Sequence, residues 1–143
     1  MQQGERINQL SFFNYEESEK KDSNGINWNH DGYLAEMEFD VECMKRGLIP
    51  YASQVGSVKA DRIIVCGNSI CRVQIKSCGR RTPNGSMSVN LINNNEKKFS
   101  SDGLDVIAVK AKDNGTWWII PATVANDCTN LTLNRSCSAF INN

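Results

Sequence analysis

The sequence has one histidine, three prolines, no long apolar run and no surplus of either charge. Each shortage closes off a class of protein. With His30 alone, zinc sites that need two or three histidines are missing from the sequence, and the six cysteines (Cys43, Cys66, Cys71, Cys78, Cys128 and Cys137) include no Cys-x-x-Cys pair, so the thiolate signature is missing too. Buried free thiols are the expectation, with Cys66 and Cys71 facing each other across a hairpin. No segment approaches the roughly 18 apolar residues of a membrane helix, and Met1 to Gly25 lacks the apolar centre of a signal peptide. A reducing, cytoplasmic setting in a bacterial, phage or similar intracellular context is therefore expected. The Asn-x-Ser/Thr triplets at Asn84, Asn114, Asn130 and Asn134 then read as chance in an asparagine-rich chain. Few prolines, 40% hydrophobic and 22% charged residues exclude a disordered or fibrous chain. The 143 residues suit one domain with a conventional core.

The missing net charge is a sum over unlike regions. Residues 1–42 hold ten acids against three bases, a balance of −7, whereas residues 43–98 hold ten bases against Asp61 and Glu96, a balance of +8. A basic middle of this kind can meet a polyanion.

Along the chain, residues 1–30 read as a polar arm in which Leu10, Phe12, Phe13 and Tyr15 add a short packed element. Leu34, Met37, Val41 and Met44 recur at spacings of three and four, which predicts a helix over 31–46 carrying one apolar stripe, with Asp31 as N-cap, His30 just before it and Gly47 as its stop. Residues 48–51 read as an extended segment. Residues 61–66 and 71–77 read as strands around a Gly67-Asn68-Ser69-Ile70 turn. Alternation in the second puts Arg72, Gln74 and Lys76 on one face and Val73 and Ile75 on the other. A further strand is expected over 86–92, and a second hairpin joins 104–109 to 116–120 around Lys112-Asp113-Asn114-Gly115. Trp117 and Trp118 fall on opposite faces, one in the core and the other at an interface or beneath a helix. The pattern is α/β, a mixed sheet flanked by helices.

One constellation carries chemistry. Lys59-Ala60-Asp61 stands at the head of the first strand, Gln74-Ile75-Lys76 lies on its neighbour, and Glu36 is on the preceding helix. A phosphodiester nuclease needs carboxylate and carbonyl oxygens for a hard divalent cation, and an amine to orient water and offset phosphate charge. Adjacent strands lie about 4.8 Å apart, so Asp61 and Lys76 can share a pocket with Gln74, the Ile75 carbonyl and Glu36. Taken singly, Asp61 can cap a turn, Glu36 can be a solvated helix residue and Lys76 can sit on an exposed sheet. The ordered set carries the reading.

In that order, Gly32-Tyr33-Leu34-Ala35-Glu36, Gly47, Asp61, Arg72-Val73-Gln74-Ile75-Lys76, Asp105-Val106 and Trp117-Trp118-Ile119-Ile120-Pro121 resemble the PD-(D/E)XK nuclease superfamily, and within it the group I intron-associated homing endonucleases. Archaeal Holliday junction resolvases share that core. The resemblance covers residues 31–122 and implies a restriction-endonuclease-like fold, with 1–30 as an arm and 123–143 as an extension packing on the core. It implies Mg²⁺, with Mn²⁺ as a substitute, held by Asp61, Glu36 and the Ile75 carbonyl. Gln74 would be a ligand or orient water, and Lys76 would assist water or the scissile phosphate. Two departures stand out: Ala60 replaces the proline of the Pro-Asp pair, which has no chemical role, and Gln74 replaces the second acid, supplying an oxygen without charge.

The activity implied is site-specific hydrolysis of double-stranded DNA by a homo-oligomer, dimer or tetramer, with no membrane involved. Arg80, Arg81, Lys97 and Lys98 flank the expected strand at Ser86 to Asn90 and are the candidate DNA-binding residues. A structure-selective junction nuclease, a noncatalytic DNA-binding module of the same fold and a small interaction protein remain as alternatives.

Overall fold

The helix that opens the described residues ends where its backbone turns left-handed. Gly47 has φ 72°, the Leu48 N–H donates to the Cys43 carbonyl at 3.0 Å, and the Gly47 N–H donates to the Met44 carbonyl at 3.1 Å. These are the paired bonds of a Schellman cap, which glycine permits without a Cβ penalty. The computed structural model describes residues 28–52, 59–79, 81–93, 95–134 and 141–142. Residues 1–27 of the expected arm, together with Arg80 and Cys137, lie outside the described residues.

Helix α1 (Trp28–Lys45) is followed by β1 (Ile49–Ala52), β2 (Arg62–Cys66), β3 (Ser69–Cys78), β4 (Met87–Asn90), β5 (Val106–Ala111) and β6 (Trp117–Pro121). A 3-10 turn (Ala122–Ala125), β7 (Asn130–Leu133) and β8 (Ile141–Asn142) complete the order. Six strands form one sheet in the order β1-β2-β3-β5-β6-β8, and β4 pairs β7 in a second, two-stranded sheet. Among the described strands only β3 and β5 run parallel, in the register Val73↔Val106 to Cys78↔Ala111; the sheet is mixed, as expected. At the head of this pair Asp105 accepts from the Arg72 backbone N–H at 2.8 Å and from its Nε at 2.9 Å. Pro50 lies in β1, at one sheet edge, where its missing N–H blunts pairing with another chain.

Alternation along the strands builds a core on each face. Ile107, Val109, Trp118 and Ile120 pack with Met87, Val89, Leu91, Phe99 and Leu133 beneath the small sheet. Ala108, Trp117, Val73, Ile75 and Ile64 pack beneath α1. The two tryptophans thus serve opposite faces, and the edge of Trp117 meets Phe39 with centroids 5.6 Å apart.

Helix α1 departs from the sequence expectation in two ways. It begins at Trp28, so Asp31 lies within the first turn rather than at the N-cap, and its carboxylate pairs with Lys112; His30 is inside the helix. Its buried side chains are Ala35, Phe39 and Cys43, whereas Leu34, Met37, Val41 and Met44 face outward. Both stripes fit a 3.6-residue period. The rotation is set by Phe39 packing in the same cluster as Trp117 and the small Ala108, and by Glu36, Glu38 and Asp40 reaching bases on the sheet. Among the described residues no helix is long and apolar enough to cross a membrane.

Candidate active site

The β2–β3 hairpin turns on two residues, not four. Gly67 has φ 59°, the positive φ that a two-residue hairpin loop demands at its first position, and Cys66 pairs with Ser69. Cys71 therefore pairs with Ile64, and the two thiols do not face each other as expected. Cys43, Cys66, Cys71 and Cys128 carry free thiols, but of these only Cys43 is buried as expected; Cys66, beside the turn, is exposed, and Cys71 and Cys128 are partly buried.

This short turn fixes where Asp61 meets β3. The Asp61 N–H donates to the Val73 carbonyl at 2.9 Å, and its Oδ2 accepts the Ile75 backbone N–H at 2.7 Å. Beyond β2 the side chain thus takes over a backbone donor of β3. Burial pushes the Asp61 carboxyl above the usual aspartate range; the Ile75 N–H pulls against that, and Glu36 adds to it.

Gln74 and Lys76 share one face of β3, while Val73 and Ile75 enter the core under α1. Gln74 is only 8% exposed, and its Oε1 has no hydrogen-bond partner among the described residues. Lys76 is half-buried. Burial lowers its pKa below the ordinary lysine value, with Asp61 and Glu96 opposing and Lys59 reinforcing that shift. These electrostatic couplings gather Asp61, Lys76, Lys59 and Glu96 into one neighbourhood.

Glu36 joins through an arginine. Arg62 Nη1 donates to Glu36 Oε2 at 2.9 Å and to the Asp61 carbonyl at 2.9 Å. Its Nε and Nη2 hold both oxygens of Asp40, at 2.8 and 3.1 Å. Arg62 is the residue that sequence reasoning missed: it stood beside Asp61 as one more positive charge, and no local pattern announces partners more than twenty positions away. Lys59 and Glu96 were also given no role. Lys59 donates to the Ser100 carbonyl and lies 4.4 Å above the Phe99 ring, a cation–π contact that steadies it.

Of the expected DNA-binding residues, Arg81 is committed within the chain, donating to the Asp113 carboxylate and to the Gly85 carbonyl at 3.1 Å. Lys97 and Lys98 are exposed and follow directly on Glu96, beside the neighbourhood of Lys76.

Among the described residues, no group of three or more His, Cys, Asp and Glu side chains is placed to hold a metal ion. The oxygen donors are instead of mixed kind: the Asp61 carboxylate, the Gln74 amide oxygen and the β3 backbone at Ile75. A buried acceptor without a partner costs about 1–3 kcal/mol, which a cation or its bound water would offset at Gln74 Oε1. All-oxygen donors suit a hard ion such as Mg²⁺ or Mn²⁺ over a soft one.

Helix, mixed sheet and the Asp61–Lys76 hairpin define a restriction-endonuclease-like α/β fold, the fold of PD-(D/E)XK-like nucleases. Two solved structures share it. The bacterial homing endonuclease I-Ssp6803I is similar with a TM-score of 0.69 and 12% identity, over 81% of this chain and 89% of that one. Hjc, a Holliday junction resolvase from the archaeal hyperthermophile Archaeoglobus fulgidus, is similar with a TM-score of 0.51 and 16% identity, over 78% of this chain and 89% of that one. No protein-family profile and no curated protein matches the sequence.

Proposed function

We propose that this protein is a divalent-metal-dependent endonuclease that hydrolyses phosphodiester bonds of double-stranded DNA at a specific site, as a homo-oligomer working in the cytoplasm of its host. The observation that supports the reading lies on β3, where the Asp61 carboxylate accepts the Ile75 N–H and the flanking residues are Gln74, with a buried Oε1 that has no partner among the described residues, and the half-buried Lys76. The similarity in fold to a homing endonuclease supports it.

A bound Mg²⁺, or Mn²⁺ in its place, would be held by Asp61, Gln74 and the Ile75 carbonyl with Glu36, and supplies phosphate polarisation and an acidified water. Lys76, its pKa lowered by burial, is suited to orient the attacking water and to neutralise charge developing on the phosphate. Arg62 holds Glu36 and Asp40 toward the same strand end, so it is a positioning residue. Lys97 and Lys98 would contact the phosphate backbone, and Arg81, already paired, would have to exchange Asp113 for DNA.

The test is incubation with a library of linear duplexes and with a four-way junction, in Mg²⁺ and in EDTA. Cutting of duplex in Mg²⁺ alone is expected. D61A should lower cleavage at least about 1,000-fold while gel-shift affinity for DNA stays within a few-fold. No metal-dependent cutting of any substrate overturns the enzyme reading. Preference for the junction selects a structure-selective nuclease, which the likeness to Hjc favours. DNA binding that D61A leaves intact, with no cutting by either protein, selects the noncatalytic module that Gln74 favours.

A further inference from the structure

The carboxylates around the head of β2 have few oxygens left to give. Asp61 Oδ2 accepts the Ile75 N–H at 2.7 Å, Glu36 Oε2 accepts Arg62 Nη1 at 2.9 Å, and both Asp40 oxygens are held by Arg62 Nε and Nη2. Among the described residues, that leaves one oxygen on Asp61, one on Glu36 and the partnerless Oε1 of Gln74. An octahedral ion such as Mg²⁺ keeps several waters and takes only one or two carboxylates from a protein. The oxygens that remain are therefore enough for one such ion.

We infer that Arg62 is a built-in cation that takes the place of a second metal ion, so that each chain binds one divalent ion and no more. The inference rests on the metal-dependent reading given above. A guanidinium does not lose its charge in a protein, and this one is fixed in place. Its side chain is 11% exposed, and Nη1 lies 2.9 Å from both Glu36 Oε2 and the Asp61 carbonyl oxygen. One resident positive charge thus joins the helix to the head of β2, the two elements that supply the acids. Paired ions in two-metal sites lie about 3.5–4 Å apart, and carboxylates must offset their mutual repulsion. Here Glu36 and Asp40 are already neutralised by Arg62, and Gln74 brings an oxygen without charge.

A count of charges gives the same limit. Asp61, Glu36, Asp40 and Glu96 are set against Arg62, Lys76 and Lys59 in this neighbourhood, which leaves one negative charge. One divalent ion turns that into one positive charge, and the negative charge of a single phosphodiester then restores neutrality. A second divalent ion would have to enter a partly buried site that is already positive, where like charges repel more strongly than in water.

Three substitutions separate the charge of Arg62 from its hydrogen bonds. R62K keeps a positive charge and loses the planar fork. R62Q keeps amide donors for Glu36 and Asp40 and loses the charge, and R62A removes both. If Arg62 acts as a cation, the number of ions bound follows the charge at this position. A residue that merely braced the helix against the sheet would leave that number unchanged.

The test is a titration of the full chain with Mn²⁺ in the absence of DNA, from about 10 µM to 5 mM, a range bracketing micromolar and millimolar affinity. Bound ions are counted from the loss of the free ion's six-line electron paramagnetic resonance signal. Wild type and R62K should each bind one ion per chain. R62A and R62Q, with Glu36 and Asp40 released from the guanidinium, should bind two. Circular dichroism checks that each variant is folded, and R62Q, which keeps hydrogen-bond donors, decides the matter if R62A is not. Two ions on the wild type overturn the inference and leave the metal-dependent nuclease standing. So does a second ion on R62K, or a count of one on folded R62Q. A wild type that binds no Mn²⁺ overturns the metal-dependent reading and this inference with it.

Discussion

Arg62 holds three oxygen groups from two elements with one guanidinium whose side chain is 11% exposed. Such a planar fork is a role lysine cannot fill. Removing it leaves Glu36 and Asp40 facing each other without a cation. They remain about a quarter exposed, so the cost falls below that of a fully buried pair, at about 2 kcal/mol, read as a lower urea midpoint for R62A; R62K should recover only part of it. Gln74 makes a different prediction. Q74E places a second carboxylate in the buried spot beside Asp61, so the metal-free protein should lose about 1–3 kcal/mol. Its melting temperature should then rise more steeply with added Mg²⁺ than that of the wild type, as a thermal-shift titration would show. At Asp105, hydrogen bonds from the Arg72 side chain and backbone lower the carboxyl pKa from 3.8 to about 2. A depressed folded value contributes stability above the ordinary pKa and loses it as pH falls through the folded one. Wild type and D105N should therefore differ in urea midpoint at pH 5 and converge as pH falls from about 4 to 2.

Helix α1 shows what a sequence leaves undecided at the scale of an element. Phe39 is buried against Trp117, so F39A should cost about 3–4 kcal/mol. M37A on the opposite face should change stability by less than about 0.5 kcal/mol. Chemical denaturation separates the two. The sequence favoured the wrong stripe, because Leu34, Met37, Val41 and Met44 outweigh Ala35, Phe39 and Cys43 in bulk. The helix rotation is settled instead by partners distant in sequence, Arg62 and Lys110 among them. The strands were legible for the opposite reason. Arg72 to Lys76 alternate strictly, and a period of two leaves no choice of face once Val73 and Ile75 are buried. The order Glu36, Asp61, Gln74, Lys76 was readable as a pattern, but the Asp61 bond to the Ile75 N–H depends on a two-residue turn that the sequence left open at four.

For the molecule as a whole, the acids of the helix become internal pairs with Arg62 of the basic middle and with Lys110 and Lys112 beyond it. Asp31, Glu36, Glu38 and Asp40 of α1 meet Lys112, Arg62 and Lys110, which leaves Lys97 and Lys98 among the exposed cations. If these two carry phosphate contacts, each alanine substitution should flatten the dependence of log K on log salt by about 0.9, measured by fluorescence anisotropy with a labelled duplex. The hairpin that carries the proposed site has a kinetic consequence as well. Asp61 and Ile75 are joined through a loop of Gly67 and Asn68, and such hairpins close within about 1–10 µs. The parallel pairing of β3 with β5 must wait for the long crossover between them and is intrinsically slower. The scaffold of the proposed site therefore belongs to the part of the chain that can organise first, with β5 completing the sheet around it. Slowing the late step, for example with V109A at the centre of β5, should leave the early hairpin signal in stopped-flow refolding unchanged.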